Sequence, residues 1–427
     1  MSKTTYRTVA VATLMLASAG CQRTPDSVPL TLTMPGRAGA TPWVAASGSF
    51  VAVAWGATNA EGTDVVVAVS EDAGRTFAAP VRVNLVAGEA HLGGEFPPRV
   101  ALTPRAGSTQ PDIAVLWTSR AGTTEIKSAR SRDGGRTFEA PQVLQAAAAP
   151  GTRGWPALTL DRNGTAHSIW LDHRGLAAGN TSESGHDKHR GTHDGVAMAQ
   201  KSGLFYASGS TSASGEHELA KGVCYCCKTA LTAGPDGTLF AAWRHVYEGN
   251  MRDIAVTVSR DGGKTFTAPV RVSEDKWAIN GCPDDGPAIA VDEQGTAHLV
   301  WPTVIGGENP EGALFYSSTR DGEHFTARVR IPTLGSPKPT HPQIAIDPEG
   351  RIVVAWDELV QGRRNAVARV LTRGADGSAT FGEVITLDTD GSAVYPVLAA
   401  TTRGLVAVWT TGSGEQSAVR ARVLSLD

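Results

Sequence analysis

The sequence predicts an all-β chain, a β-propeller of four-stranded blades, seven in number with six as the alternative, whose ring is closed by an N-terminal strand. Three observations predict it. An apolar strand ending in tryptophan recurs seven times, at Trp55, Trp117, Trp170, Trp243, Trp301, Trp356 and Trp409. An eight-residue turn recurs three times almost unchanged. The last repeat lacks one strand, and a spare strand stands at the other end of the chain.

Around each Trp strand the same neighbours repeat. A short strand after a proline precedes most of them, as in Pro156 to Leu160, Pro287 to Val291, Pro342 to Ile346 and Pro396 to Ala400, and Asp161 to Gly164 or Asp292 to Gly295 makes the joining turn. A third strand follows, such as Asp64 to Val69 or Asp253 to Val258. Four short strands repeated at intervals of 53 to 73 residues, Trp to Trp, fit blades around an axis. After the third strand of the final repeat, Ala418 to Leu426, no fourth strand remains, and Val28 to Met34 matches the fourth strands at Pro80 to Asn84 and Pro269 to Ser273. Placing it there hides two sheet edges that an open array would expose.

The recurring turn reads Ser70-Glu-Asp-Ala-Gly-Arg-Thr-Phe77, Ser131-Arg-Asp-Gly-Gly-Arg-Thr-Phe138 and Ser259-Arg-Asp-Gly-Gly-Lys-Thr-Phe266. Asp accepts from nearby amides, Gly takes a positive φ, and Phe packs beneath the hairpin. Thr319 to Phe325 is a shortened copy and Asp376 to Phe381 a degenerate one. With this S-x-D-x-G-x-x-F pattern, residues 27–427 resemble the Asp-box, or BNR-repeat, sialidase-like propellers. The resemblance implies a structural role for the boxes, on the perimeter and away from any substrate.

The ends and composition bound the rest. Lys3 and Arg7, an apolar run from Val9 to Ala17, and Ser18-Ala-Gly before Cys21 read as a signal peptide over 1–20. The ending resembles the lipobox of bacterial lipoproteins, with Ser18 in place of the usual aliphatic residue, so Cys21 is the expected lipidation site and residues 21–26 a tether. The expected location is the cell envelope, the membrane partner being reached through that lipid. A net charge of −3 with no basic patch argues against nucleic acid.

Two chemistries are legible at the mouth of such a ring, where the loops entering each innermost strand meet the loops after each Trp. The family resemblance implies an arginine cluster for a substrate carboxylate, an acid/base Asp, and a Tyr activated by a Glu. Arg153, Arg174 and Arg244, then Asp285, Glu358 and Tyr395, are the candidates, with ordinary polar loop residues as the alternative. The family's R-I-P entry motif is missing: the first blade has Pro42-Trp-Val-Ala, and Arg330-Ile-Pro332 falls in a fourth strand, so efficient sialidase turnover is not expected.

The second chemistry is sulfur and imidazole. Cys224, Cys226 and Cys227 enter the fourth blade and Cys282 the fifth, while a polar insertion at 173–223 carries His173, His186, His189 and His193, and His245 follows Trp243. Thiolate and imidazole suit copper or zinc. In an oxidising envelope four cysteines equally suit disulfides. The expectation is a binding propeller taking a small ligand, glycan or metal at this mouth, the alternatives being a sialidase-like exo-glycoside hydrolase and an interaction scaffold.

Overall fold

The strands that carry the repeat tryptophans, such as Phe50–Asn59 and Ile352–Val360, are apolar on both faces and buried along most of their length, so each repeat packs against both of its neighbours. In the computed structural model, which describes residues 28–121, 123–144, 150–176, 195–209, 216–279, 281, 283–374 and 378–426, the result is seven antiparallel sheets. Each blade runs from an innermost strand outward. Blade one is Ala38–Ser47, Phe50–Asn59, Gly62–Ser70 and Val81–Arg82, and blade four is Ala230–Ala233, Leu239–Arg244, Ile254–Ser259 and Val270–Arg271. In blade six the outer position is shared by two segments, Ala379–Phe381 and Ile385–Thr386, both paired with Arg363–Arg373.

The seventh blade is completed by the chain's beginning. Leu30–Leu32 pairs antiparallel with Ala418–Leu424, in the register Leu30 to Ala421 and Leu32 to Val419. The ring therefore closes by hydrogen bonds between its two ends, as the sequence predicts.

The core is seven apolar clusters, one in each gap between adjacent blades. The one between blades seven and one joins Val397, Val406 and Val408 to Val51, Val53 and Trp55, with Leu32 packed in. All seven repeat tryptophans are at most 1% exposed. Fully burying such a ring contributes on the order of 2–3 kcal/mol.

The indole N–H creates a second requirement, because a buried donor needs an acceptor. Trp170 donates to Asp172 and Trp356 to Glu358, two residues downstream, while Trp243 donates to His245. Trp301 and Trp409 reach across to Asp275 and Asp388.

The three full turns share one bonding set. Asp72, Asp133 and Asp261 each accept from the Ser hydroxyl two residues earlier and from two following amides, at 2.8–3.1 Å. Phe77, Phe138 and Phe266 pack against the inter-blade clusters, which is why the pattern ends in Phe. Part of the degenerate copy, including Asp376, lies outside the described residues, as do Cys21 and the whole leader.

The segment expected as an insertion at 173–223 is in large part blade three itself. Its third and outer strands are Gly203–Ser208 and His217–Lys221. The extra chain before them includes a short helix, Gly195–Gln200, while His186, His189 and His193 lie outside the described residues. Among the described residues no helix is long and apolar enough to cross a membrane.

Candidate functional site

The innermost strands are irregular where they enter the ring. Thr41, Trp155, His341 and Tyr395 have φ of 53–56°, each is followed by proline, and the strand register shifts across each of them. Asp284, at the entry of blade five, has φ 51°. A left-handed backbone at a bulky residue costs about 1–3 kcal/mol, and its repetition at one level of the ring marks a surface built for side-chain placement.

That level opens into a cavity on the axis, whose lining includes Thr41, Trp43, Glu95, Arg99, Lys228, His341 and Tyr395. It is narrow, with room for about one water molecule. Asp357, fully buried, organises one wall. Its carboxylate accepts from His341 Nδ1 at 2.6 Å, from Arg364 Nη1 at 2.7 Å and from the Tyr395 amide at 2.9 Å. The Tyr395 ring lies against His341 with centroids 4.2 Å apart, and a side chain on Gly94 would collide with that phenol, so Gly is required beside Glu95. Asp285 accepts from the His341 amide at 3.1 Å, and its other oxygen is buried without a partner.

Glu95 stands out electrostatically. It is 7% exposed, and neither carboxyl oxygen makes a well-formed hydrogen bond, the nearest donors being the Lys228 amide and the His341 ring at 3.8 Å. Burial, then the charge of Asp285, pushes its carboxyl up to about 7 against the pull of Lys228 and His341. Burial disfavours the charged His341 ring, but Asp357, Asp285 and Glu95 together raise it. Tyr395 is pushed up to about 12 by burial and by Glu95 and Asp357. Arg99 stacks its guanidinium 3.7 Å over Trp43, and burial lowers it to about 9, so it stays cationic at neutral pH.

The residues expected for catalysis separate into two groups. Asp285 and Tyr395 reach the cavity region. The three arginines do not line it: Arg153 pairs with buried Asp172 and with the Gly151 and Pro150 carbonyls, and Arg174 pairs with Asp172 and Glu216. Arg244 spends its guanidinium on the carbonyls of Asp285, Arg252 and Pro302. Glu358 accepts from the Leu334 and Ser336 amides and the Trp356 indole, so both its oxygens are engaged in the scaffold. Arg330 stands in the outer strand of blade five. Glu95, Lys228, His341 and Asp357 are polar residues of the loops around the innermost strands, and burial without a partner, which singles out Glu95, leaves no mark in sequence.

Beside the cavity the cysteines meet. The sulfurs of Cys224, Cys226 and Cys227 lie within 4.8 Å of one another, all buried. Cys224 and Cys227 are free thiols 3.2 Å apart, whereas Cys226 is disulfide-bonded, and Cys282 lies outside the described residues. Neither expected histidine joins the sulfur group. His173 bonds Thr152 at 2.9 Å, and His245 accepts from Trp243 and meets Tyr247 edge-to-face. Burial lowers both imidazoles to about 4.

The chain matches no protein-family model and no curated protein sequence. Its fold is similar to that of solved structures. A protein of unknown function from Dyadobacter fermentans is 14% identical, with 94% of this chain and 98% of that one covered and a TM-score of 0.50. A polysaccharide lyase is 11% identical over 90% of this chain and 89% of its own, with a TM-score of 0.51. A Hadza microbial sialidase is 17% identical over 86% and 74%, with a TM-score of 0.49. At these identities the likeness is one of fold alone: the chain is a seven-bladed β-propeller.

Proposed function

We propose that the protein is a carbohydrate-active enzyme that cleaves glycosidic bonds at the axial cavity, a glycoside hydrolase with Glu95 as proton donor and Asp285 as the second carboxylate. The observation that carries this reading is Glu95, whose carboxyl oxygens are buried without a hydrogen-bond partner and whose acid is pushed up to about 7 by burial and then by the charge of Asp285. A carboxylic acid kept neutral by burial, beside a second carboxyl group, is what acid–base hydrolysis of an acetal needs. Lys228 and Arg99 add positive charge for an anionic sugar. The polysaccharide-lyase fold likeness supports a glycan as substrate class. The sialidase-type alternative fits less well, since its arginines are engaged elsewhere and Tyr395 is pushed away from ionisation.

The test is a panel of neutral, uronate-containing and sialylated oligosaccharides, read both for new reducing ends and for ultraviolet absorbance of unsaturated products. Hydrolysis without that absorbance is expected, with Glu95→Gln slower by about 10²–10⁴-fold. Glu95→Gln at wild-type rate overturns the assignment, and unsaturated products replace hydrolysis by β-elimination.

We also propose lipidation at Cys21, which would hold the propeller on an envelope membrane through the short tether. Palmitate labelling that survives Cys21→Ser would rule it out.

A further inference from the structure

Three sulfurs in one buried group call for a chemistry that the glycan reading leaves unused. Cys224 and Cys227 are spaced C-x-x-C and are the two free thiols. The Cys227 thiol donates to the Cys224 sulfur at 3.2 Å, and a disulfide needs an approach of only about 1 Å more. Arg252 Nη1 also donates to Cys224, at 3.2 Å.

The surroundings choose between a metal and a redox role. A structural zinc or copper site takes three or four soft or imidazole donors. Here two thiols are free, neither candidate imidazole stands within the sulfur group, and the cations acting on Cys224 are Arg252 and Arg244. Two guanidinium groups stabilise a thiolate and repel a metal cation.

We infer that Cys224 and Cys227 form a reversible dithiol–disulfide pair, with Cys224 as the attacking sulfur and a small-molecule disulfide as its exchange partner. The thiolate of Cys224 attacks one sulfur of the incoming disulfide, breaking its S–S bond and releasing one thiolate, which takes a proton. Cys227 then loses its proton and attacks the Cys224 sulfur, forming the intrachain bond and expelling the second thiol. The chain loses two protons and two electrons, and the small disulfide gains them.

The protonation order agrees with these roles. Burial alone would raise the Cys224 thiol, but the Cys227 hydrogen bond with Arg252 and Arg244 brings it down to about 7. Burial and the hydrogen bond that it gives push Cys227 well above the ordinary thiol range, as suits the resolving partner. Trp155, Met198 and Ala199 pack over the group, so the reagent must be small and exchange follows opening of this cover. Cys227 immediately precedes Lys228 of the axial cavity, and the Asp285 amide bonds its sulfur, which puts the pair directly behind the acids.

The test is equilibration of the full folded chain in glutathione buffers of graded ratio, followed by acid quench, unfolding, alkylation and peptide mass mapping. A single transition is expected in which Cys224 and Cys227 lose their alkylation together. Cys227→Ser should accumulate a mixed disulfide with glutathione at Cys224, and Cys224→Ser should form none at Cys227. Both thiols alkylating fully at every ratio overturns the inference, and so does an adduct at Cys227 in Cys224→Ser equal to that at Cys224 in the converse variant. One equivalent of copper or zinc in the purified protein, lost on Cys224→Ser, overturns it in favour of a metal site.

Discussion

Replacing Glu95 by Gln removes one titrating group from the axial cavity and leaves its shape nearly unchanged. The carboxyl moves from 4.5 to about 7 on folding, and at about 1.4 kcal/mol per unit this is about 3 kcal/mol. The sign follows from the raised value. Below pH 4.5 the acid is neutral in both states and folding is indifferent to it. From there to about pH 7 the unfolded chain ionises first, so stability falls as pH rises, and above about 7 the loss is complete. Gln never ionises. The stability of Glu95→Gln relative to the natural chain should therefore rise by about 3 kcal/mol between pH 4.5 and 8. Urea unfolding at several pH values measures it, with the slope m held equal between the two proteins. A stability difference that is flat with pH would show that Glu95 is solvated or hydrogen-bonded in solution, and the proton-donor role would go with it.

Two further outcomes are expected. Glu358→Ala should destabilise the fold by more than about 3 kcal/mol, because it orphans two amides and an indole N–H in a dry site; Glu358→Gln, which keeps one acceptor oxygen, should lose less and retain the activity profile against pH, and loss of activity without loss of stability would return Glu358 to the catalytic group. Deleting residues 28–34 should lower stability and promote self-association, since it bares the edge of Ala418–Leu424; unfolding midpoint and light scattering read both, and an unchanged midpoint would show that the ring does not depend on this closure.

The ring was legible because its causes are local and repeated. A strand that ends in a buried indole, a turn whose Asp must collect amides, and a Phe that must fill an inter-blade gap leave the same letters at each repeat. The closing strand was legible by subtraction, one blade being short by a strand and the other end having one spare. Blade three was harder to read. Its third and outer strands, Gly203–Ser208 and His217–Lys221, carry no Asp box, so the chain from 173 to 223 reads as one long loop.

The site was only half legible, and Trp356-Asp357-Glu358 shows why. Both acids follow a repeat tryptophan into a mouth loop and look equivalent in sequence. Alternation along a strand sends their side chains to opposite faces. Glu358, on the face of the indole, is consumed by the N–H that burial of Trp356 leaves needing an acceptor, and Asp172 and His245 hold the same position after Trp170 and Trp243. Asp357, on the other face, reaches His341, Arg364 and the Tyr395 amide. In blade six, then, the polar residue two places after the Trp belongs to the scaffold, and the one directly after it serves the mouth. Blade four differs, since Arg244 directly follows Trp243 yet is bound by three carbonyls. What parity cannot decide is whether a mouth residue finds partners there, and it is the lack of them at Glu95 that leaves a proton available for chemistry.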